Sequence, residues 1–166
     1  AFSFAHAFNL PIIITRTMNC VGEKQNIEKF VPKTIKAILN NDKVIIHGVD
    51  KNNIASRCWV HCRNVADALL FLLNKGINAD MYHIVGEEHS VLEVANIICQ
   101  EIKNRDLKGN EIELVNFHQA RPGHDKRYAM CGNKIKEMGW QPKILFEQSL
   151  RKCVQWTLKN PQWLNF

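Results

Sequence analysis

Hydrophobic residues along the chain alternate between short β-branched runs and stripes with helical spacing. Residues 10–15 form a continuous apolar run, which is typical of a strand buried on both faces of a parallel sheet. Residues 43–47 and 81–85 are also predicted strands, and residues 111–117 alternate polar and apolar side chains as a half-exposed strand does. The pattern therefore predicts several strands distributed along the whole chain.

Between these runs, apolar residues recur with the spacing of a helix. The predicted helices are residues 1–8, a segment ending near residue 39, residues 65–74, a helix opened by a capping box from Ser90 to Glu93, residues 134–138 and a last helix from residue 146. Asn64 is the predicted cap of the third helix, and Gly76 is its predicted stop. Because strands and helices alternate, the sequence predicts an α/β fold with parallel strand pairing.

Composition narrows the range of partners. The chain has 166 residues, which suits one domain, and its 22 Lys and Arg residues against 16 Asp and Glu residues give a net charge of +6. That charge favours acidic partners such as phosphates or nucleic acid, although it also simply keeps a protein soluble. No apolar run is long enough to cross a bilayer, and no signal peptide is recognised.

The six cysteines are too sparse for a secreted disulfide scaffold, so we expect a reducing, cytoplasmic setting. Cys99 and Cys153 lie on apolar helical stripes and are predicted to be buried thiols. Cys58 and Cys62, with His61 between them, lack a second Cys/His pair at a distance that suits zinc. The sequence therefore predicts no metal site.

The run from Arg121 to Tyr128 has the highest density of chemically useful side chains. Its Pro-Gly pair defines the shape of a turn, and its basic side chains can direct several hydrogen-bond donors at one polyanion. The alternative interpretation is an ordinary basic turn between two strands.

Residues 121–129 read Arg-Pro-Gly-His-Asp-x-Arg-Tyr-Ala and closely resemble a segment of the dTDP-glucose 4,6-dehydratases. These are nucleotide-sugar enzymes of the extended short-chain dehydrogenase/reductase family, and the resemblance spans nearly the whole chain. Residues 16–22 are similar to the family's Arg-x-x-Asn-x-Tyr-Gly, with Val21 in place of Tyr, and residues 28–32 match Glu-Lys-Leu-Ile-Pro. The resemblance implies the C-terminal part of a Rossmann-type fold, so that residues 1–166 form one partial domain. That domain would contain the last sheet strands and a nucleotide-sugar-binding subdomain.

The resemblance also implies roles for residues in the first half of the chain. Asn19 stands where the family's Asn amide binds the substrate near its diphosphate. Glu28, Lys29 and Phe30 stand where the family lines its substrate cleft, with the Lys supplying charge. His47 replaces an aromatic residue that stacks near the base, although a lone His is also common on a surface.

In the second half, Arg57 stands where an Arg binds phosphate, and its planar fork suits phosphate oxygens better than a Lys ammonium does. His83 replaces an Asn that contacts the nucleotide. Arg121, His124 and Tyr128 belong to the segment that helps to hold the nucleotide and diphosphate.

The family's reaction uses NAD to oxidise the sugar at C4, eliminates water across C5 and C6, and then returns the hydride. This chain contains neither a Gly-rich cofactor turn nor the catalytic Tyr-x-x-x-Lys, and the resemblance starts just after that Lys. We therefore expect no catalytic residue here, no NAD bound by this chain alone, and association either with itself or with the missing N-terminal half.

Two alternatives remain at this stage. One is a fragment of a nucleotide-sugar epimerase or of a GDP-mannose dehydratase, against which the Arg-Pro-Gly-His-Asp run argues. The other is a non-catalytic module that binds nucleic acid through basic side chains, although no aromatic stacking platform or recognition helix is evident.

Overall fold

The computed structural model describes residues 1–50, 52–116, 123 and 125–164. Its helices are α1 (Phe2–Phe8), α2 (Phe30–Asn40), α3 (Cys62–Lys75), α4 (Val91–Lys103), α5 (Asn133–Glu137) and α6 (Phe146–Lys159). Its strands are β1 (Ile13–Thr17), β2 (Asn19–Val21), β3 (Val44–His47), β4 (Ser56–His61), β5 (Asp80–Ile84), β6 (Glu87–Ser90), β7 (Ile112–Val115) and β8 (Arg127–Tyr128). The expected α/β class is confirmed.

The strands form two parallel pairs and one mixed sheet. β1 pairs with β5 and β3 pairs with β7, both in parallel. In the mixed sheet, β4 pairs with β6 in antiparallel orientation and with β2 and β8 in parallel orientation. β6 pairs along one edge of β4. The opposite edge of β4 therefore pairs with β8 at its beginning and with β2 at its end.

Two hydrophobic clusters hold these layers. The larger one joins α2, α4 and α6 to the central strands, with Ile35, Ile46, Trp59, Ile98 and Leu150 among its buried members. The smaller one packs α3 and α5 against β5. Cys99 and Cys153 are buried as expected, with 0% and 2% of their surface exposed.

The start of α3 differs from the prediction. His61, and not Asn64, is the N-cap, because its Nδ1 accepts the backbone N–H of Arg63 over 3.2 Å. The Asn64 side chain instead donates to the Ile144 carbonyl over 2.8 Å and accepts the Ile144 N–H over 3.3 Å. Asn64 therefore joins α3 to the segment before α6.

The first predicted strand also lies differently. It was expected at residues 10–15 with both faces buried, but β1 runs from Ile13 to Thr17 and its last two residues are exposed. Within the described part of the chain, β5 is the strand that pairs with it. The apolar run is therefore only partly covered. None of the described helices combines the length and the hydropathy that crossing a membrane requires.

Candidate functional site

A cleft of about 370 Å³ opens where β2, β3 and β4 meet the beginning of α2. Its lining residues are Asn19, Cys20, Gln25, Lys29, Phe30, Val31, His47, Arg57, Trp59 and Val91. Half of them were singled out from the sequence: Asn19, Lys29, Phe30, His47 and Arg57. These five come from four segments that lie far apart in the sequence, so only the fold brings them together.

Aromatic packing makes the base of the cleft rigid. The ring centroids of Phe30 and Trp59 are 5.8 Å apart, and those of Trp59 and Phe146 are 5.9 Å apart. Trp59 is buried and donates its indole N–H to the His89 carbonyl over 3.1 Å. The backbone at Gly86 lies close to β4, and only a glycine allows this approach, since a Cβ at Gly86 would lie 1.9 Å from the Trp59 carbonyl oxygen. The indole is therefore fixed by contacts on several sides.

Arg57 is held at one side of the cleft. Its Nη1 donates to the Ser56 carbonyl over 2.6 Å and to the Lys126 carbonyl over 3.3 Å, and its guanidinium lies 5.9 Å from the ring centroid of Tyr128. Partial burial lowers the pKa of Arg57, while Asp125 and Tyr128 act in the opposite direction. An arginine stays charged under such conditions, so a partly desolvated cation is directed at the cleft.

Other polar groups surround the opening. Asn19 donates its side-chain amide to the Cys58 carbonyl over 3.0 Å. Gln25 donates to the Cys20 carbonyl over 2.8 Å, and its buried Oε1 has no hydrogen-bond partner among the described residues. Lys29 is exposed and is the N-cap residue of α2, so its ammonium adds to the positive end of that helix. The cleft thus combines an apolar base with amide and cationic groups.

Three of the residues proposed from the sequence lie elsewhere. Glu28 is exposed, and its N–H is bonded to Asn26 Oδ1 over 2.9 Å. The Nδ1 of His83, on β5, lies 3.1 Å from the Cys131 carbonyl. Tyr128 does not line the cleft but contacts Arg57 from β8. Their roles in binding stay predictions.

Arg121 and His124 lie outside the described residues, so the structure does not place them. The segment that follows them is placed. Arg57 pairs with Tyr128 between β4 and β8, and the Ser56 N–H donates to the Lys126 carbonyl over 2.9 Å. The end of the basic run is therefore anchored beside Arg57.

The other five lining residues were not singled out from the sequence, although Val31 belongs to the motif at residues 28–32: Cys20, Gln25, Val31, Trp59 and Val91. Trp59 lies two residues after Arg57, and residues two apart on a strand share a face, but this signal needs the strand β4, which was not predicted from the sequence. Burial raises the pKa of the Cys20 thiol, with Cys62 as a further cause, so Cys20 lines the cleft as a neutral group.

A second polar cluster lies near the end of β4. Ligand atoms of Glu23, His61 and Cys62 lie within 4.8 Å of one another, and Cys153 Sγ is 3.3 Å from His61 Nε2. Because His61 Nδ1 accepts the Arg63 N–H, the neutral ring carries its proton on Nε2, which faces Glu23 Oε2 at 3.4 Å. A metal at Nε2 would have to displace that proton, so the bonding present favours a hydrogen-bonded cluster over a ligand set.

The parallel pairing, the helical layers and the cleft define a Rossmann-like α/β protein of the epimerase/dehydratase type. The family model described as GDP-mannose 4,6 dehydratase matches residues 1–153, and the chain therefore belongs to this family.

The relatives include enzymes named for dTDP-glucose and enzymes named for UDP-glucose. The chain is 33% identical over 165 residues to the dTDP-D-glucose 4,6-dehydratase of Mus musculus, covering 98% of this chain and 46% of that protein. It is 33% identical over 163 residues to a trifunctional UDP-glucose 4,6-dehydratase, epimerase and reductase of Arabidopsis thaliana, covering 97% of this chain and 23% of that protein.

Among solved structures, the dTDP-glucose 4,6-dehydratase of Bacillus anthracis in complex with NAD superimposes with a TM-score of 0.85 and 32% sequence identity. The match covers 99% of this chain and 50% of that one. The chain thus spans about half the length of that relative and of the mouse enzyme.

Proposed function

We propose that this chain is the substrate-binding part of a nucleotide-sugar 4,6-dehydratase and binds a dTDP- or UDP-hexose. The observation that carries the proposal is the convergence of Asn19, Lys29, Phe30, His47 and Arg57 on one cleft. The dTDP- and UDP-glucose enzymes among the relatives support the same ligand class.

The chemistry of the cleft suits a nucleoside diphosphate. A diphosphate carries closely spaced negative charges that are well hydrated, so binding it requires several fixed donors. Arg57 and Lys29 supply cations, Asn19 supplies an amide, and each hydrogen bond to a charged group contributes about 1.5–3 kcal/mol. We assign Arg121 and His124 to the same diphosphate, as the resemblance implies. The apolar base with Phe30 and Trp59 offers a surface for an uncharged ring.

NAD and the catalytic groups are assigned to another part of the enzyme. The Bacillus relative binds NAD, but no Gly-rich turn occurs in this sequence. In the structure, α3 follows β4 directly, and its beginning is capped by His61 rather than open to a phosphate. We therefore assign the dinucleotide site and the catalytic residues to a part of the enzyme outside these 166 residues.

We also propose that this chain has an interface with another protein. Several large apolar side chains are exposed on α1 and α3 and just beyond α3: Phe4 62%, Phe8 66%, Leu70 62%, Leu73 77% and Ile77 65%. Exposed apolar surface of this kind marks interaction sites. We assign it to a second copy of the chain or to the N-terminal half of the enzyme.

The test is direct binding of dTDP, UDP and GDP to the 166-residue chain, measured by calorimetry and by thermal shift. We expect dTDP or UDP to raise the melting temperature, and Arg57→Gln to weaken binding about tenfold or more, since a charged hydrogen bond is lost. Arg121→Ala should reduce the thermal shift as well.

Arg105→Gln is the matched control. Arg105 is held by an ion pair with Glu111, and it follows α4 at the end away from Val91, about 18 Å along the helix at 1.5 Å per residue. Absence of binding to every nucleoside diphosphate would refute the proposal. Salt-dependent binding of DNA without nucleotide binding would support the basic-module alternative instead.

A further inference from the structure

A charged pair beside the cleft ties three strands together. Arg127 donates from Nε to Glu88 Oε1 over 2.8 Å and from Nη2 to Glu88 Oε2 over 2.7 Å. Ser56 Oγ donates to the same Oε1 over 2.8 Å. Glu88 lies on β6, Ser56 on β4 and Arg127 on β8, so this carboxylate connects all three strands. We call these three residues the Glu88 clasp.

The clasp is next to Arg57. Ser56 and Arg57 pair with Arg127 and Tyr128 in consecutive positions of β4 and β8. The Lys126 carbonyl, which precedes Arg127, accepts from both the Ser56 N–H at 2.9 Å and Arg57 Nη1 at 3.3 Å. The Lys126 and Tyr128 contacts of the Arg57 guanidinium therefore come from the segment that the clasp holds.

We propose that Glu88 is a positioning residue for nucleotide binding, which acts by holding β8 so that Arg57 is directed at the cleft. The ligand named here rests on the proposed function above. β8 is two residues long, so backbone pairing alone holds it weakly. Arg127 is 67% exposed and Glu88 is 36% exposed, and pairs this exposed add little to global stability. The pair therefore matters for local geometry more than for folding.

Glu88→Gln tests the proposal with little change in shape. The amide oxygen can still accept from Ser56 Oγ and Arg127 Nε, but the amide nitrogen replaces the acceptor of Arg127 Nη2, and the negative charge is lost. We expect the melting temperature to stay nearly unchanged and the affinity for dTDP or UDP to fall about three- to tenfold, because a smaller fraction of molecules presents Arg57 correctly. Glu88→Arg combined with Arg127→Glu should restore most of the affinity by re-forming the pair with reversed charges.

Amide hydrogen exchange at Ser56 gives a readout that needs no ligand. Its N–H is bonded to the Lys126 carbonyl, so release of β8 should speed its exchange in the Glu88→Gln variant. Glu111→Gln is the matched control, because Glu111 forms the same two-bonded pair with Arg105, at 2.7 Å for both contacts, and does not line the cleft. It should change neither the affinity nor the Ser56 exchange.

The outcomes separate the two proposals. Absence of nucleotide binding by the unaltered chain overturns the proposed function and, with it, a binding role for Glu88. Unchanged Ser56 exchange in Glu88→Gln overturns the clasp itself, whatever the nucleotide result. Faster exchange with unaltered affinity shows that β8 is held by Glu88 but does not direct Arg57 during binding.

Discussion

His61 has both ring nitrogens engaged in a buried site. Nδ1 accepts the Arg63 N–H at the start of α3, and Nε2 lies 3.4 Å from Glu23 and 3.3 Å from Cys153 Sγ. Burial lowers the pKa of His61, with Arg63 acting in the same direction and Glu23 opposing it. Burial also raises the pKa of Cys153 to about 12, so its thiol stays neutral. The folded state therefore favours the neutral imidazole.

This preference links the stability of the protein to pH. Because the folded pKa lies below the unfolded value of about 6.5, the unfolded chain takes up the proton first as the pH falls. We expect the contribution of His61 to be complete above about pH 6.5 and to be lost between that pH and the lower folded pKa. Urea unfolding of the wild type at pH 7.5 and 5.5 measures the loss.

His61→Asn supplies the control, because Asn caps helices well and does not titrate in this range. The difference in unfolding free energy between the two pH values should be smaller in this variant than in the wild type. Equal differences in the two proteins would contradict the assignment.

The residues of the cleft were predicted unevenly from the sequence. Asn19, Lys29 and Arg57 were found because each belongs to a motif with a recognisable order of residue types. Gln25 carries no such signal, since its place in the cleft depends on a bond to the Cys20 carbonyl across a loop. The side-chain bonds of Glu88 to Ser56 and Arg127 were not predictable, because they depend on how β4, β6 and β8 meet.

Helices were predictable as elements because their apolar stripes and caps are local. The capping box at the start of α4 is present: Ser90 Oγ accepts the Glu93 N–H over 3.1 Å, and Glu93 Oε2 accepts the Ser90 N–H over 2.6 Å. By contrast, β4 and β8 were not predicted, because their pairing partners lie far away in the sequence. Caps and stripes are local signals, whereas the register of short strands is set by tertiary contacts.

The capping box of α4 is expected to contribute to the stability of the protein. Ser90→Ala removes the acceptor for the Glu93 N–H and should lower the free energy of unfolding by about 1 kcal/mol. Ser3→Ala is the control, because Ser3 is exposed within α1 and makes no cap, so its effect should be near zero. Urea unfolding followed by circular dichroism measures both changes. A loss that is no larger in Ser90→Ala than in Ser3→Ala would contradict the role of the cap.

At the scale of the whole molecule, one part of the structure is well covered and another is not. The cluster around Trp59 is enclosed by α2, α4 and α6. The β1–β5 pair is covered by α3 through Ala68 and Leu72, but α3 leaves Leu69, Leu70 and Leu73 exposed on its other face. Apolar side chains at spacings of three and four residues share one helix face, so this surface is suited to another protein element.

If no other protein packs against this face of α3, we expect the chain to self-associate through it. We expect sedimentation analysis to show a mass that rises with concentration, and the double substitution Leu70→Glu and Leu73→Glu to shift the protein toward monomer, since two carboxylates would have to be desolvated in the interface. Leu145→Glu is the control, because Leu145 is 58% exposed but follows Ile144, which bonds Asn64 in the first turn of α3 and not the exposed face at Leu70 and Leu73. A wild-type chain that stays monomeric at high concentration would contradict self-association. In that case the N-terminal half of a dehydratase, proposed above as the other partner, would be the candidate to add to the chain before the measurement is repeated.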